Sequence, residues 1–262
     1  MRSVKDILKR YSNTLDEHNK FELLYKDVWD YGMPARYKKD EASGEKKREK
    51  IFSSVFEQSC DEFVQRFQSL TAPVNSDWID FEAGYIYNLE QKKSEREQVN
   101  KQLDMLSKVC NTYKGTSNFD TQYTEFSYDL IAGTACLLIL EGTYDKPLVF
   151  TVVPFNQLTM EEGADGVISA YYRSFKMKNE LVKEQWKDSS FTYEEGAGSK
   201  DVELLECTYY DYDSEKWIYN VVDKKLENKI VERRYDNSPF VDLRWSKYAG
   251  GTYGRGAGHR LS

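Results

Sequence analysis

The stretch DLIAGTACLLILEGTYDKPLVFTVVPFNQL, Asp129 to Leu158, decides the fold. Gly133 follows the last helically spaced apolar residues, at the position where helices commonly terminate on glycine. Two apolar runs come next, Leu137–Leu140 and Leu148–Val153, the densest in the chain. They are joined by a turn carrying Gly142, Asp145 and Pro147, residue types that bend the backbone for separate steric reasons. Upstream of this seam the apolar residues recur every three or four positions. Downstream they tend to alternate. The chain therefore reads as α+β, an N-terminal helical half followed by a small antiparallel β-barrel or sandwich.

Working back from the seam, Phe119, Tyr123, Phe126 and Leu130 lie on one helical face. Before them a long polar helix starts near Leu89, with Val99, Leu103, Leu106, Cys110 and Tyr113 as a narrow apolar seam. A stripe that narrow packs one side and leaves the other for solvent or a neighbouring subunit. Trp78 and Phe81 read as anchors that pin the loop following them, ahead of that helix. Phe52, Val55, Phe56, Cys60, Phe63, Phe67 and Leu70 mark a further helix, stopped by Thr71-Ala72-Pro73. The first helix opens with a Ser3/Asp6 capping box. It runs through Val4, Ile7, Leu8, Tyr11 and Leu15 and ends at Gly32 and Pro34, with a second cap signal at Thr14–Glu17. Lys38 to Lys50 holds ten charges and no large apolar residue, the pattern of a solvated loop.

Working forward, Gly163–Gly166 separates strands at Leu158–Met160 and Val167–Phe175. Leu181, Val182 and Trp186 mark one short helix. Further strands begin at Val202 and Trp217, with a turn at Asp213–Lys216, and another spans Ile230–Tyr235. This gives about six strands in a meander. The chain divides into a helical region 1–131, a β-rich module 132–245 and a Gly-rich segment 246–262.

Composition narrows the function. No run approaches the roughly 18 apolar residues that cross a bilayer, so no membrane partner is expected, and the charged start MRSVKDILKRYS is no signal segment. A net charge of −7 argues against a protein that coats nucleic acid with a basic patch. Twenty Tyr against five Met point to surfaces and interfaces more than to a greasy centre. Cys60, Cys110, Cys136 and Cys207 are far apart and read as buried free thiols in a reducing compartment.

The candidates for chemistry are few. His18, on the first helix, reads as solvated or capping, and His259 has no nucleophile near it in sequence. With two histidines a His-based metal site is not expected. Asp211, Asp213 and Glu215 superficially match a calcium loop. Lys216 stands where that loop needs glycine and Val222 where it needs glutamate, so a solvated hairpin turn is the reading. Asp211 and Asp213 would be the natural candidates of a carboxylate enzyme, and no arrangement makes them act. The glycines at 250, 251, 254, 256 and 258 match neither a P-loop nor a dinucleotide fingerprint and read as a tightly turned or flexible backbone. No catalytic, cofactor-binding or metal-ligating residue is assigned, and no cofactor.

Four blocks in order resemble the head-to-tail connector, or portal, proteins of short-tailed (podovirus-type) bacteriophages. They are ELLYKDVWDYGMPARY from Glu22, KIFSSVFEQSCDEFVQRFQSLTAPVNSDWIDF from Lys50, the Asp129 seam with EGADGVISAYYRSF from Glu162, and SPFVDLRWSKYAGGTYGRGAG from Ser238. The second block carries the strongest likeness. The resemblance implies a wing-like fold and a non-enzymatic virion subunit at the portal vertex, assembled in the host cytoplasm. It implies a homo-oligomeric ring of about twelve copies around a channel for double-stranded DNA, which is packaged and later ejected. It also implies contacts with the packaging ATPase (terminase large subunit), the major capsid and scaffolding proteins, and tail adaptor proteins, with DNA passing non-specifically. Family portals continue past Tyr253-Gly254-Arg255-Gly256 into channel-lining helices and a clip. The resemblance therefore implies that 246–262 begins a stem and clip part that this chain lacks, as a fragment or because that part lies on another polypeptide. The alternative reading is another virion structural or adaptor protein at the head-tail junction.

Overall fold

The computed structural model describes residues 2–34, 54–74, 76–85, 93–187, 189, 191–193, 196–248 and 250–260. Lys38 to Lys50 and the expected helix start at Leu89 lie outside them. Helix α1 spans Val4–Gly32, α2 Val55–Thr71, α3 Lys93–Thr116, α4 Phe119–Ala132 and the short α5 Asn179–Gln185. The strands are β1 (Thr134–Glu141), β2 (Leu148–Val152), β3 (Leu158–Glu162), β4 (Ile168–Lys178), β5 (Asp201–Asp211), β6 (Lys216–Asp223), β7 (Asn228–Tyr235) and β8 (Phe240–Arg244). The fold is α+β with a helical N-terminal half, as the period change at the seam implies.

The sequence supports about six strands, whereas the described residues form eight, in two open antiparallel sheets of order β2-β1-β8 and β3-β4-β5-β6-β7. The second is the meander. Neither sheet closes into a barrel. Instead the two meet through side chains: Tyr171 on β4 stacks on Phe240 of β8 with centroids 5.5 Å apart. β8 escapes sequence reading because Asp242 and Arg244 interrupt its apolar alternation. Both charges turn toward the other sheet, where Arg244 Nη1 lies 3.0 Å from Glu162 Oε2 on β3 and Arg244 Nε lies 3.1 Å from Asp242 Oδ2.

Three apolar clusters order the layers. Ala135, Leu137, Phe150 and Val152 on one face of the smaller sheet pack on Phe119, Phe126 and Leu130 of α4 and on Phe63 and Phe67 of α2. Its other face, with Cys136, Leu138 and Phe240, shares a core with Tyr171, Tyr219 and Val221 of the larger sheet. The far face of the larger sheet, with Tyr172, Leu205, Cys207 and Ile218, is covered by Val4, Ile7, Leu8 and Tyr11 of α1. At 1.5 Å per residue α1 is about 44 Å long. Its start covers that sheet and its end, Tyr25, Val28 and Trp29, enters the core beside α4. The capping box forms as the sequence indicates, and α1 runs unbroken through the second cap signal at Thr14–Glu17.

The tyrosines differ from the compositional expectation. Tyr25, Tyr172, Tyr209, Tyr219 and Tyr253 are among the largest fully buried side chains. Each of these five hydroxyls has a partner, as a buried phenol requires. Tyr172 donates to Glu161 (3.1 Å), Tyr253 accepts from Met160 N (3.0 Å), Tyr209 accepts from Arg2 N (2.9 Å), and Tyr219 donates to Glu206. The edge of β2 is closed by α4 side chains in place of a strand. Asn118 accepts from Phe150 N (2.9 Å) and donates to Phe150 O (2.7 Å), and Gln122 accepts from Val152 N (2.6 Å).

Candidate functional site

Three surfaces stand out once the core is accounted for: the arm built on α3, the β5–β6 hairpin tip and the glycine-rich segment.

Helix α3 packs extensively against no other helix or strand among the described residues. Its 24 residues extend about 36 Å. What holds it is the extended segment before it. Ile79 N donates to Asn111 Oδ1 (3.2 Å), Phe81 N to Ser107 Oγ (2.9 Å) and Ala83 N to Asn100 Oδ1 (3.2 Å). Asn111 Nδ2 returns a bond to Ile79 O at 2.8 Å, and Lys114 Nζ donates to Ser76 O at 2.6 Å. Alternate backbone amides of a strap are thus matched by side chains one or two helical turns apart, so the helix acts as a surrogate strand. Trp78 anchors the strap, as expected, by packing on Phe119 at 5.9 Å under the Lys114 ammonium at 5.1 Å.

The buried positions of α3 are consequently Ser107, Asn111 and Lys114. This corrects the apolar seam drawn from the sequence. Leu106 and Tyr113 of that seam are exposed, together with Met105 (67%) and Val109. Positions 106, 109 and 113 recur at helical spacing, so they form one solvent-facing apolar stripe.

The hairpin tip carries the carboxylates singled out above. Asp211 ends β5, and residues 212–215 form the turn into β6. Ser214 Oγ donates to Asp211 Oδ2 at 2.6 Å and holds that carboxyl below its ordinary value. Asp213, Glu215 and Tyr212 are exposed, the last at 75%. The tip is the solvated hairpin turn that the spacing indicates. Among the described residues no group of three or more His, Cys, Asp and Glu side chains is placed to hold a metal ion.

The glycine-rich segment docks on the seam. Trp245 N donates to Gly133 O (2.9 Å), Gly254 N to Thr134 Oγ1 (2.9 Å) and Gly256 N to Ala132 O (3.0 Å). Tyr25 Oη lies 3.0 Å from Thr134 Oγ1 and donates to Gly254 O. Thr252 is bound at both N and Oγ1 by the Glu17 carboxylate, each at 3.0 Å. A Cβ on Gly256 would collide with the backbone of Ile131, so glycine is what allows the chain to approach α4 this closely. Of the tightly turned or flexible backbone expected of the glycines, the docked and tightly turned form is the one observed among the described residues.

The histidines and cysteines serve packing. His18 is buried, not solvated: its ring stacks on Phe155 at 4.8 Å. The residues that bury it, Phe155 and Tyr253, come from far along the chain, where helical spacing carries no information. His259 bonds through Nε2 to Ala132 O at 2.8 Å, and burial lowers its basicity. Cys60, Cys136 and Cys207 are buried free thiols and Cys110 is partly buried. Burial pushes Cys60 up to about 11 and Cys207 to about 12.

One polar cluster inside the core was not foreseen. Glu206 on β5 is buried, with Arg173 Nη1 at 3.2 Å and the Tyr219 hydroxyl donating to it. Burial raises its carboxyl above the ordinary 4.5, while Arg173 and Tyr219 pull it down. Arg173 Nε also donates to Gln157 Oε1 at 3.1 Å. In sequence Glu206 is one acid in an alternating strand, and nothing distinguishes its buried face.

No helix among the described residues is long and apolar enough to cross a membrane. Exposed apolar stripes of this kind mark surfaces that other proteins cover. A comparison with curated proteins finds no match. A family model described as bacteriophage head to tail connecting protein matches residues 4–261, nearly the whole chain. The chain therefore belongs to the bacteriophage head to tail connecting protein family, and is a structural component of the virion at the head-tail junction.

Proposed function

We propose that the protein is one subunit of a portal ring, through which double-stranded DNA is packaged into the head and later ejected. The observation that carries this reading is the family match across residues 4–261. The α3 arm, held by a strap and apolar on its outer side, supports it, because such a stripe is expected to be covered in an assembly. The ring holds about twelve copies, and its role is structural, with hydrolysis left to the packaging ATPase. Regions 1–131 and 132–245 form its wing-like outer part, with 246–262 at the border of the channel. Its partners are the packaging ATPase, the major capsid and scaffolding proteins, tail adaptor proteins and DNA. The net charge of −7 suits DNA that passes without being gripped, since a strongly basic channel would release many counterions and hold its cargo. Assembly takes place in the host cytoplasm.

Negative-stain imaging of the purified protein tests this. Closed rings with a central opening are expected. A protein that stays monomeric at every concentration, yet still binds assembled heads, would instead be a head-tail adaptor.

A further inference from the structure

Resting on the ring reading, we propose that the α3 stripe receives the acidic β5–β6 hairpin tip of a second copy of this chain. The stripe is apolar at Leu106, Val109 and Tyr113, with Met105 beside it. Lys101 and Lys108 stand four residues before and three after Met105, positions that are neighbours on a helix surface. This is an apolar strip with two ammonium groups along one edge, and with the Asp104 carboxylate three residues after Lys101 and four before Lys108. The hairpin tip is its complement: one exposed aromatic, Tyr212, bordered by Asp213 and Glu215.

The tip is built to keep that shape. Tyr212 sits edge-on to Tyr210 at 5.0 Å, and Tyr210 packs on Trp217 at 5.6 Å. Glu215 holds a left-handed backbone conformation, φ 52°, which defines a tight turn. Asp211 is tied to Ser214, which leaves Asp213 and Glu215 pointing their charge at solvent. Tyrosine is a favoured anchor in interfaces because it brings large area at low entropic cost. The border charges set register and orientation more than affinity.

Within one chain α3 and the β5–β6 hairpin do not pack extensively on each other. Two different complementary faces on one chain make a heterologous contact, which propagates from copy to copy and closes when the rotation allows. The two faces thus supply the head-to-tail contact that a ring needs. Rim charges of this kind are screened by salt, so the contact weakens as ionic strength rises.

Paired charge reversals test it. The full chain is made as Lys101→Glu/Lys108→Glu and, separately, as Asp213→Lys/Glu215→Lys, with folding checked by circular dichroism. Each variant alone places like charges across the contact, and sedimentation is expected to show about a tenfold or greater loss of assembly. An equimolar mixture pairs the acidic arm of one variant with the basic tip of the other, and assembly is expected to return. If either folded variant assembles like the unaltered protein, or the mixture fails to assemble, the inference is wrong. A failure of the ring reading itself shows separately, as an unaltered protein that never assembles.

Discussion

The Tyr171 hydroxyl on β4 donates to Asp242 Oδ1 on β8 at 2.6 Å, and this bond joins the two sheets. Asp242 is also held by Arg244, whose guanidinium reaches Glu162 on β3. The smaller sheet carries α2 and α4 on one face and the larger sheet on the other. The polar seam therefore helps set how the smaller sheet, with α2 and α4 on it, sits against the larger one.

Tyr171→Phe leaves Phe240 its stacking partner and removes only the hydroxyl. Asp242 keeps Arg244, so the loss is that of one hydrogen bond to a charged group, about 1.5–3 kcal/mol. For a chain of this length that lowers the melting temperature by several degrees, roughly 2–4 °C per kcal/mol. Thermal unfolding followed by circular dichroism measures it; an unchanged melting temperature would show that the seam does not hold the sheets together.

Arg173→Met is expected to be more severe. It strands the buried Glu206 carboxylate, and breaking one side of a buried ion pair typically costs about 3–5 kcal/mol. Adding Glu206→Gln in the same chain removes the stranded charge and should recover part of the loss. Urea unfolding of both variants reads the coupling directly.

Glu206 also makes a pH prediction. Its carboxyl is raised by burial above the ordinary 4.5, so the folded protein binds that proton more tightly than the unfolded chain. The stability it contributes is present below the unfolded value and is lost as pH rises through the folded one. Relative to Glu206→Gln, the unaltered protein should therefore lose stability as pH climbs from about 4.5 toward neutrality. Urea midpoints of the two proteins across that window test the sign. A difference that grows in favour of Glu206 with rising pH would contradict the assignment.

The docking of the glycine-rich segment separates two kinds of glycine. Gly256→Ala drives a methyl into the Ile131 backbone and should release the segment from α4. Gly250 sits at φ +80° with open space around it, so Gly250→Ala costs only the left-handed penalty, about 1–2 kcal/mol. Limited proteolysis should cut the Gly256→Ala protein within 245–260 and leave the Gly250→Ala protein largely protected there.

On α3, Asn111→Leu keeps the helix and removes both bonds to Ile79. Hydrogen exchange should rise through the strap, residues 76–84, while β5 and β6 stay protected. Equal protection of the strap in both proteins would mean that the side-chain ladder does not hold it.

The helices around the seam were legible because local rules act there. The Ser3/Asp6 box, Gly32, Gly133 and the Phe119–Leu130 face each declare themselves within a few residues. What escaped depends on partners distant in sequence. β8 is disguised by Asp242 and Arg244, whose charges are satisfied across the sheets. His18 is buried by Phe155 and Tyr253, and Glu206 by Arg173 and Tyr219. The inner face of α3 reads as solvent-facing because Asn100, Ser107 and Asn111 are polar, and only the strap gives them a reason to be buried. The hairpin carboxylates were visible as a turn, but the pairing with α3 proposed above could be framed only once both surfaces were seen exposed.

The most direct test of the central claim, that this head to tail connecting protein is a ring subunit, is the native mass of the purified unaltered chain. The account predicts one closed species at about twelve times the chain mass, stable to dilution at moderate salt. A single monomeric species across the concentration range would contradict it.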